Sequence, residues 1–298
     1  MIKKSLGALI AFVVVFVAGC GVTHSPIPQA VTVERLISDG WNLYDNGAYE
    51  AAAAKFDSAI SINVLNVEAH LGYAWSENML GNLKESRSYF KILEIAAFGA
   101  TCTPLKIDSN IVVTHEATTW GDTVHVLRVH SAPILKIFKI VANDRSTYKP
   151  IYIGYDEIWL DTLPTNDTFR VYYFAYRPDV VVDSVRYLVG WGYSGYGASY
   201  LDDNTGDEDE AVYGIKTAEL LVGDDTVSFA HAPYLNMQKL KALEALAFFR
   251  WGLYKNTVDI LVNDFGWTDW DPTYDPFDIE RRVMILQKLE EVMRNSGQ

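Results

Sequence analysis

The chain has little of what most local chemistry needs. Two cysteines in 298 residues exclude a disulfide framework, and they stand too far apart, at Cys20 and Cys102, for a redox or zinc pair. No His-x-x-His and no phosphate-binding loop occurs. His125 and His130 are five apart on a predicted strand and so point to opposite faces, while His70, His115 and His231 are isolated. Cations are scarce too: 25 Lys and Arg against 38 Asp and Glu give a net charge of −13, which repels nucleic acid and anionic headgroups. The longest apolar run, Leu6–Ala18, is too short to span a bilayer comfortably. These absences point away from an enzyme, a cofactor and nucleic-acid binding. Apolar residues make up 49% of the chain, which excludes wholesale disorder.

The start of the chain reads as an address. Lys3 and Lys4 precede the apolar run, and Val17-Ala18-Gly19-Cys20 closes it with small residues. This segment resembles a bacterial lipoprotein signal over residues 1–19. The resemblance implies cleavage before Cys20, lipid on its sulfur and new amino terminus, and nearly irreversible membrane attachment. Gly21 in place of the inner-membrane-retaining aspartate favours the outer membrane and a mostly periplasmic chain. Loss of Lys3 and Lys4 with the leader takes the net charge from −13 to −15. Cys102 is then alone and reads as a buried thiol. Residues 20–32, with Pro26 and Pro28, read as a tether.

Residues 33–99 carry a pattern written twice. Gly40, Gly47, Tyr49, Ala52, Phe56 and Ala59 recur 34 positions later as Ala74, Gly81, Leu83, Ser86, Phe90 and Leu93. Helices are predicted at Val33–Tyr44 and Tyr49–Ile62, touching where Gly40 meets Ala52, with Gly47 in the turn. The stretch resembles the tetratricopeptide family over two repeats. That resemblance implies a scaffold holding a protein or peptide partner in a groove of Asn42, Asp45, Tyr73 and Glu77, with a role in envelope or secretion-machine assembly.

Residues 100–232 read as an all-β domain. Ile111–Thr114, Thr123–Val129, Ile134–Val141, Ile151–Tyr155, Glu157–Leu160, Phe169–Tyr176, Asp183–Val189, Lys216–Leu221 and Thr226–Ala230 are β-rich and bounded by turn formers. Together they predict an antiparallel sandwich or barrel. Gly190–Tyr200 reads as a glycine-tyrosine loop whose G-x-G-x-x-G lacks the helix a dinucleotide site needs. It runs into an acidic segment, Asp202–Glu210, where Asp202, Asp203, Asn204 and Asp207 are weak calcium candidates and a solvated loop is the preferred reading. Residues 233–298 return to helical periodicity, with Ile279, Val283, Leu286, Leu289 and Val292 as the expected apolar face of the last helix. Trp267–Asp278 reads as an aromatic, proline-rich connection pinned to the surface. The expected class is α+β: two helical hairpins, a β-sandwich or barrel, and helices packing back on the hairpins. A surface glycan-binding lipoprotein using the β-domain and its tyrosine-rich loop is the second reading.

Overall fold

The computed structural model describes residues 32–96, 106–117, 123–160, 168–176, 183–203, 206–223 and 228–296. Cys20, Cys102 and Asn204 lie outside them. The expected α+β class is what the chain forms: four helices, antiparallel sheets, then helices again.

The first four helices are α1 (Val33–Asp45), α2 (Tyr49–Ile62), α3 (Val67–Met79) and α4 (Leu83–Ala96). Gly47 and Gly81 take φ of +77° and +79°, the left-handed conformation that ends a helix without a Cβ penalty. The amides of Gly47 and Ala48 return to Tyr44 and Leu43 O, both at 2.9 Å. Those of Gly81 and Asn82 repeat the pattern to Asn78 and Glu77 O at 3.0 Å. Ala52, Phe56, Ala59, Ala74 and Phe90 are buried and Tyr49 packs edge-on to Tyr44. The close partner of Gly40 is Phe56 rather than Ala52: a Cβ at Gly40 would lie 2.8 Å from the Phe56 ring, and one at Gly72 only 2.3 Å. The aromatic ring is thus sandwiched between two helices that approach through glycine.

The strands are β1 (Lys106–Val112), β2 (Thr114–Ala117), β3 (Thr123–Arg128), β4 (Ile134–Ala142), β5 (Thr147–Tyr148), β6 (Pro150–Ile153), β7 (Glu157–Leu160) and β8 (Thr168–Ala175). They form two four-stranded antiparallel sheets, ordered β1-β8-β4-β5 and β2-β3-β7-β6. In β8 the expected alternation holds, with Phe169, Val171, Tyr173 and Ala175 all buried. Tyr173 donates to Asp108 at 2.7 Å and accepts from the Ser131 amide at 3.0 Å, tying β8 to β1 and to the loop before β4.

The strands expected at Asp183–Val189 and Lys216–Leu221 are instead parts of two long helices, α5 (Asp183–Asp203) and α6 (Glu208–Val222). The two four-stranded sheets therefore end with β8 at Ala175, and the predicted tyrosine loop is a helix interior. Its glycines are contact points. A Cβ at Gly192 would fall 2.1 Å from Leu93, at Gly195 2.2 Å from Phe90, and at Gly197 2.8 Å from Ala211 O. Small residues let α5 lie flush on α3, α4 and α6, a gain that outweighs the roughly 1 kcal/mol per glycine lost in propensity. Beyond come the hairpin β9 (Ser228–Phe229) and β10 (Ala232–Asn236), then α7 (Met237–Trp251), α8 (Tyr254–Asn263) and α9 (Ile279–Asn295).

Asn236 caps α7 as expected, accepting from Lys239 N at 2.9 Å. Gly252, at φ +84°, repeats the turn of the first two hairpins: its amide and that of Leu253 return to Phe249 and Phe248 O at 3.1 and 2.9 Å. Thr257 Oγ1 then lies 3.3 Å from Ala245 O, a small-residue approach like that at Gly40. Among the described residues the helices thus form four successive hairpins with the two sheets inserted between the second and third, and α9 packs on α7 and α8. The buried face of α9 is Ile285, Leu289 and Val292; Ile279, Val283 and Leu286, expected on it, are exposed. Trp267 and Trp270 are buried 5.2 Å apart, and Asp271, Asp275 and Asp278 accept amides of Thr273, Phe277 and Glu280, so the connection before α9 is pinned.

Candidate interaction face

The predicted groove residues fall in two places. Asn42 is exposed and its carbonyl accepts from the Asn46 side chain at 2.6 Å. Asp45 faces His231 across the β9–β10 turn, with His231 Nδ1 at 3.0 and 3.2 Å from its two oxygens. Tyr73 and Glu77 lie instead toward α4. Tyr73 packs at a tilt against Tyr89 with centroids 4.2 Å apart, and Glu77 is buried and accepts from Asn82 at 2.7 Å. With Leu83, Lys84 and Glu85 they line a shallow, open depression of about 570 Å³. Burial, then the charges of Glu77, Glu85 and Asp57 and the neighbouring Tyr89, push the Tyr73 phenol up to about 12, so it remains a hydrogen-bond donor. Tyr89 is raised for the same reasons, burial first.

The face on which the helical hairpins converge is built from tryptophans that sequence reasoning missed. Trp41, Trp75 and Trp191 each follow a small residue, Gly40, Ala74 and Gly190, in α1, α3 and α5. Trp41 and Trp75 are one 34-residue period apart, and that spacing was the available signal. Between the three lies Phe229, with ring centroids 5.8 Å from Trp41, 5.7 Å from Trp75 and 5.8 Å from Trp191. His231, in the two-residue turn of the β9–β10 hairpin, stacks flat on Trp41 at 3.9 Å. Trp41 Nε1 donates to Glu68 at 3.1 Å, which fixes its ring. The face thus already holds an extended segment of its own chain: an aromatic ring in a tryptophan cage and an imidazole clamped between a ring and a carboxylate.

In its described residues the acidic segment is mostly helical rather than a solvated loop. Asp202 and Asp203 close α5, and Glu208, Asp209 and Glu210 fill the first turn of α6, where the helix dipole favours negative charge. Arg87 binds Asp203, and also donates to Ser199 Oγ and O at 3.0 and 2.7 Å while its guanidinium lies 3.9 Å over Tyr200. Lys136, buried on β4, reaches Glu210 at 2.5 Å and Asp209 at 3.3 Å, joining the sheet insert to α6. Asp202 is shifted upward by burial, and Asp207 precedes α6 without capping it through its side chain. Asp203, Asp209 and Glu210 are thus matched to cations of the fold rather than gathered round a shared centre. Among the described residues no group of three or more His, Cys, Asp or Glu is placed to hold a metal, and no helix is long and apolar enough to cross a membrane.

A second buried charge cluster joins α6 to α7, where Lys241 contacts both Glu219 and Glu244. At the sheet, Asn256 of α8 exchanges two hydrogen bonds with the Ile153 backbone, at 3.1 and 2.9 Å. Nearby Asp259 accepts from Tyr152 and is raised to about 6, chiefly by burial. No protein-family model matches this chain, and no curated protein matches it in sequence.

Proposed function

We propose that this protein is a membrane-tethered scaffold of tetratricopeptide type, lipidated at Cys20, that holds an extended partner segment on its tryptophan-lined face. The observation that carries this reading is the placement of Trp41, Trp75 and Trp191 around Phe229. Three equivalent positions on the leading helices of three successive hairpins make a binding cage, and the chain's own hairpin displays the ligand chemistry that fits. An aromatic side chain fills the cage, and a basic or imidazole group two residues on lies against Trp41 and Asp45. A partner with that pattern would displace the hairpin, so affinity is set by the difference between the two occupants. The role is binding without catalysis, at the periplasmic side of an outer membrane. The glycan-binding reading is less favoured, because Trp191, Tyr193 and Tyr196 of the supposed tyrosine loop are buried in α5, which leaves that reading the sheets alone.

The direct test uses a synthetic peptide spanning residues 226–237, titrated against the wild-type chain and a Phe229→Ala/His231→Ala variant while tryptophan emission is followed. Saturable binding to the variant, weaker to wild type and abolished by Trp75→Ala, supports the reading. Absence of binding to the opened variant refutes it. For the tether, Cys20→Ser should end palmitate labelling and release the chain from membranes; retention in the membrane fraction would remove the lipid from the proposal.

A further inference from the structure

The strands β2 and β3 place two histidines opposite one another at the rim of the sheet insert. Their antiparallel register runs from Thr114↔Val126 to Ala117↔Thr123, and within it His115 faces His125. The two Nδ1 atoms are 2.8 Å apart, with ring planes at 89°. We propose that His115 and His125 bind a divalent transition-metal ion of tetragonal preference, Cu(II) or Ni(II).

The distance carries the argument. Imidazole nitrogens bind such ions at about 2.0–2.1 Å, so two on one ion stand about 2.9 Å apart at a right angle and about 3.3–3.4 Å apart at the tetrahedral angle. The observed separation matches a right-angled pair, the geometry that Cu(II) and Ni(II) favour over Zn(II). The ladder fixes both backbones, so little ordering is needed on binding. Without metal, one Nδ1–H donates to the other Nδ1; with metal, that proton moves to Nε2 of the same ring and both rings remain neutral.

The surroundings agree. His115 is exposed and His125 half-buried, which leaves an entry path. Leu160, paired with His125 on β7, gives a buried apolar wall on one side. Glu116 points to the other face of the sheet, where Arg128 donates to both its oxygens at 3.0 Å, so it is not a third ligand. Two protein nitrogens and solvent would complete the sphere.

The test is titration of the full chain, solubilised in detergent, with Cu(II) and Ni(II) in a non-chelating buffer, by calorimetry and copper paramagnetic resonance. One ion per chain and hyperfine structure from two imidazole nitrogens are expected on the unaltered protein. His115→Gln and His125→Gln should each weaken binding at least tenfold with unchanged circular dichroism, and His130→Gln and His231→Gln should leave it intact. Equal copper binding by the wild type and the His115→Gln/His125→Gln double variant would overturn the assignment. So would a resonance signal lacking two nitrogen ligands.

Discussion

His231 lies flat on Trp41, with centroids 3.9 Å apart and planes within 2°, while its Nδ1 is 3.0 Å from an Asp45 oxygen. One side chain thereby joins the turn of a β-hairpin to the first helix, 186 residues earlier. Replacing it with alanine removes an aromatic pair worth about 0.5–1.5 kcal/mol beyond its buried area. We expect His231→Ala to lower the urea midpoint by a corresponding amount with the slope unchanged. Asp45→Asn should cost less, because that carboxylate is half exposed and screened.

Phe229 is the larger determinant. It is 3% exposed and touches three tryptophans, so Phe229→Ala leaves a cavity and should destabilise by about 3–5 kcal/mol. Tryptophan emission of the native state should shift red as water reaches the cage. An unchanged spectrum would mean that the hairpin does not seal the face.

The glycines of α5 separate two readings that look alike in sequence. As a flexible loop they would tolerate alanine; as helix contacts they would not. Gly195→Ala places a methyl 2.2 Å from the Phe90 ring, and overpacking of this kind costs about 1–3 kcal/mol. Phe90→Leu in the same chain should recover part of the loss, whereas the two costs would simply add if the residues were independent.

The turn glycines behave differently. Gly47, Gly81 and Gly252 have positive φ and nothing within 4 Å of a notional Cβ, so only backbone strain opposes a side chain. Alanine should cost about 1–2 kcal/mol at each, and asparagine, which tolerates the left-handed region, less. Matching costs at all three, read from thermal unfolding, would support treating the last hairpin as a further copy of the first two.

Asp259 predicts a pH dependence. Its carboxyl titrates near 6 in the fold, above the ordinary value of about 3.9, chiefly through burial. Between roughly pH 4 and 6 the folded chain therefore holds a proton that the unfolded chain releases, and this group's contribution falls as pH rises through that window. Asp259→Asn keeps an acceptor for Tyr152 while removing the charge. It should flatten the decline and raise stability at pH 7 by at most about 3 kcal/mol, measured by denaturation at pH 4.5 and 7.

The first two hairpins were legible because their signals are local: a repeated glycine before each second helix, and buried small residues at helical spacing. Strand β8 was legible for the same reason, since Phe169, Val171, Tyr173 and Ala175 alternate as a half-buried strand must, whereas Ile111–Thr114, expected as one strand, spans the end of β1 and the start of β2. Helix α5 was not. Gly190, Gly192, Gly195 and Gly197 argue against a helix in isolation, and only the nearness of Leu93, Phe90 and Ala211 explains them. The candidate face was half legible: Asp45 belongs to it, but Tyr73 and Glu77 point to α4. The tryptophan cage depends on Phe229, a residue brought there by the path of the chain.

The insertion of the sheets also sets an order of events for folding. The contacts that cover Phe90 and Leu93 come from Gly195 and Gly192, and Arg87 finds Ser199 across 112 residues. Pairing over such distances is slow, because loop closure must precede the gain from contact. A chain emerging from its amino terminus would complete α1–α4 while the partners of that apolar edge were still being made. Until those partners are made the edge is apolar and uncovered, and a holding chaperone or rapid formation of the intervening sheets would protect it during synthesis.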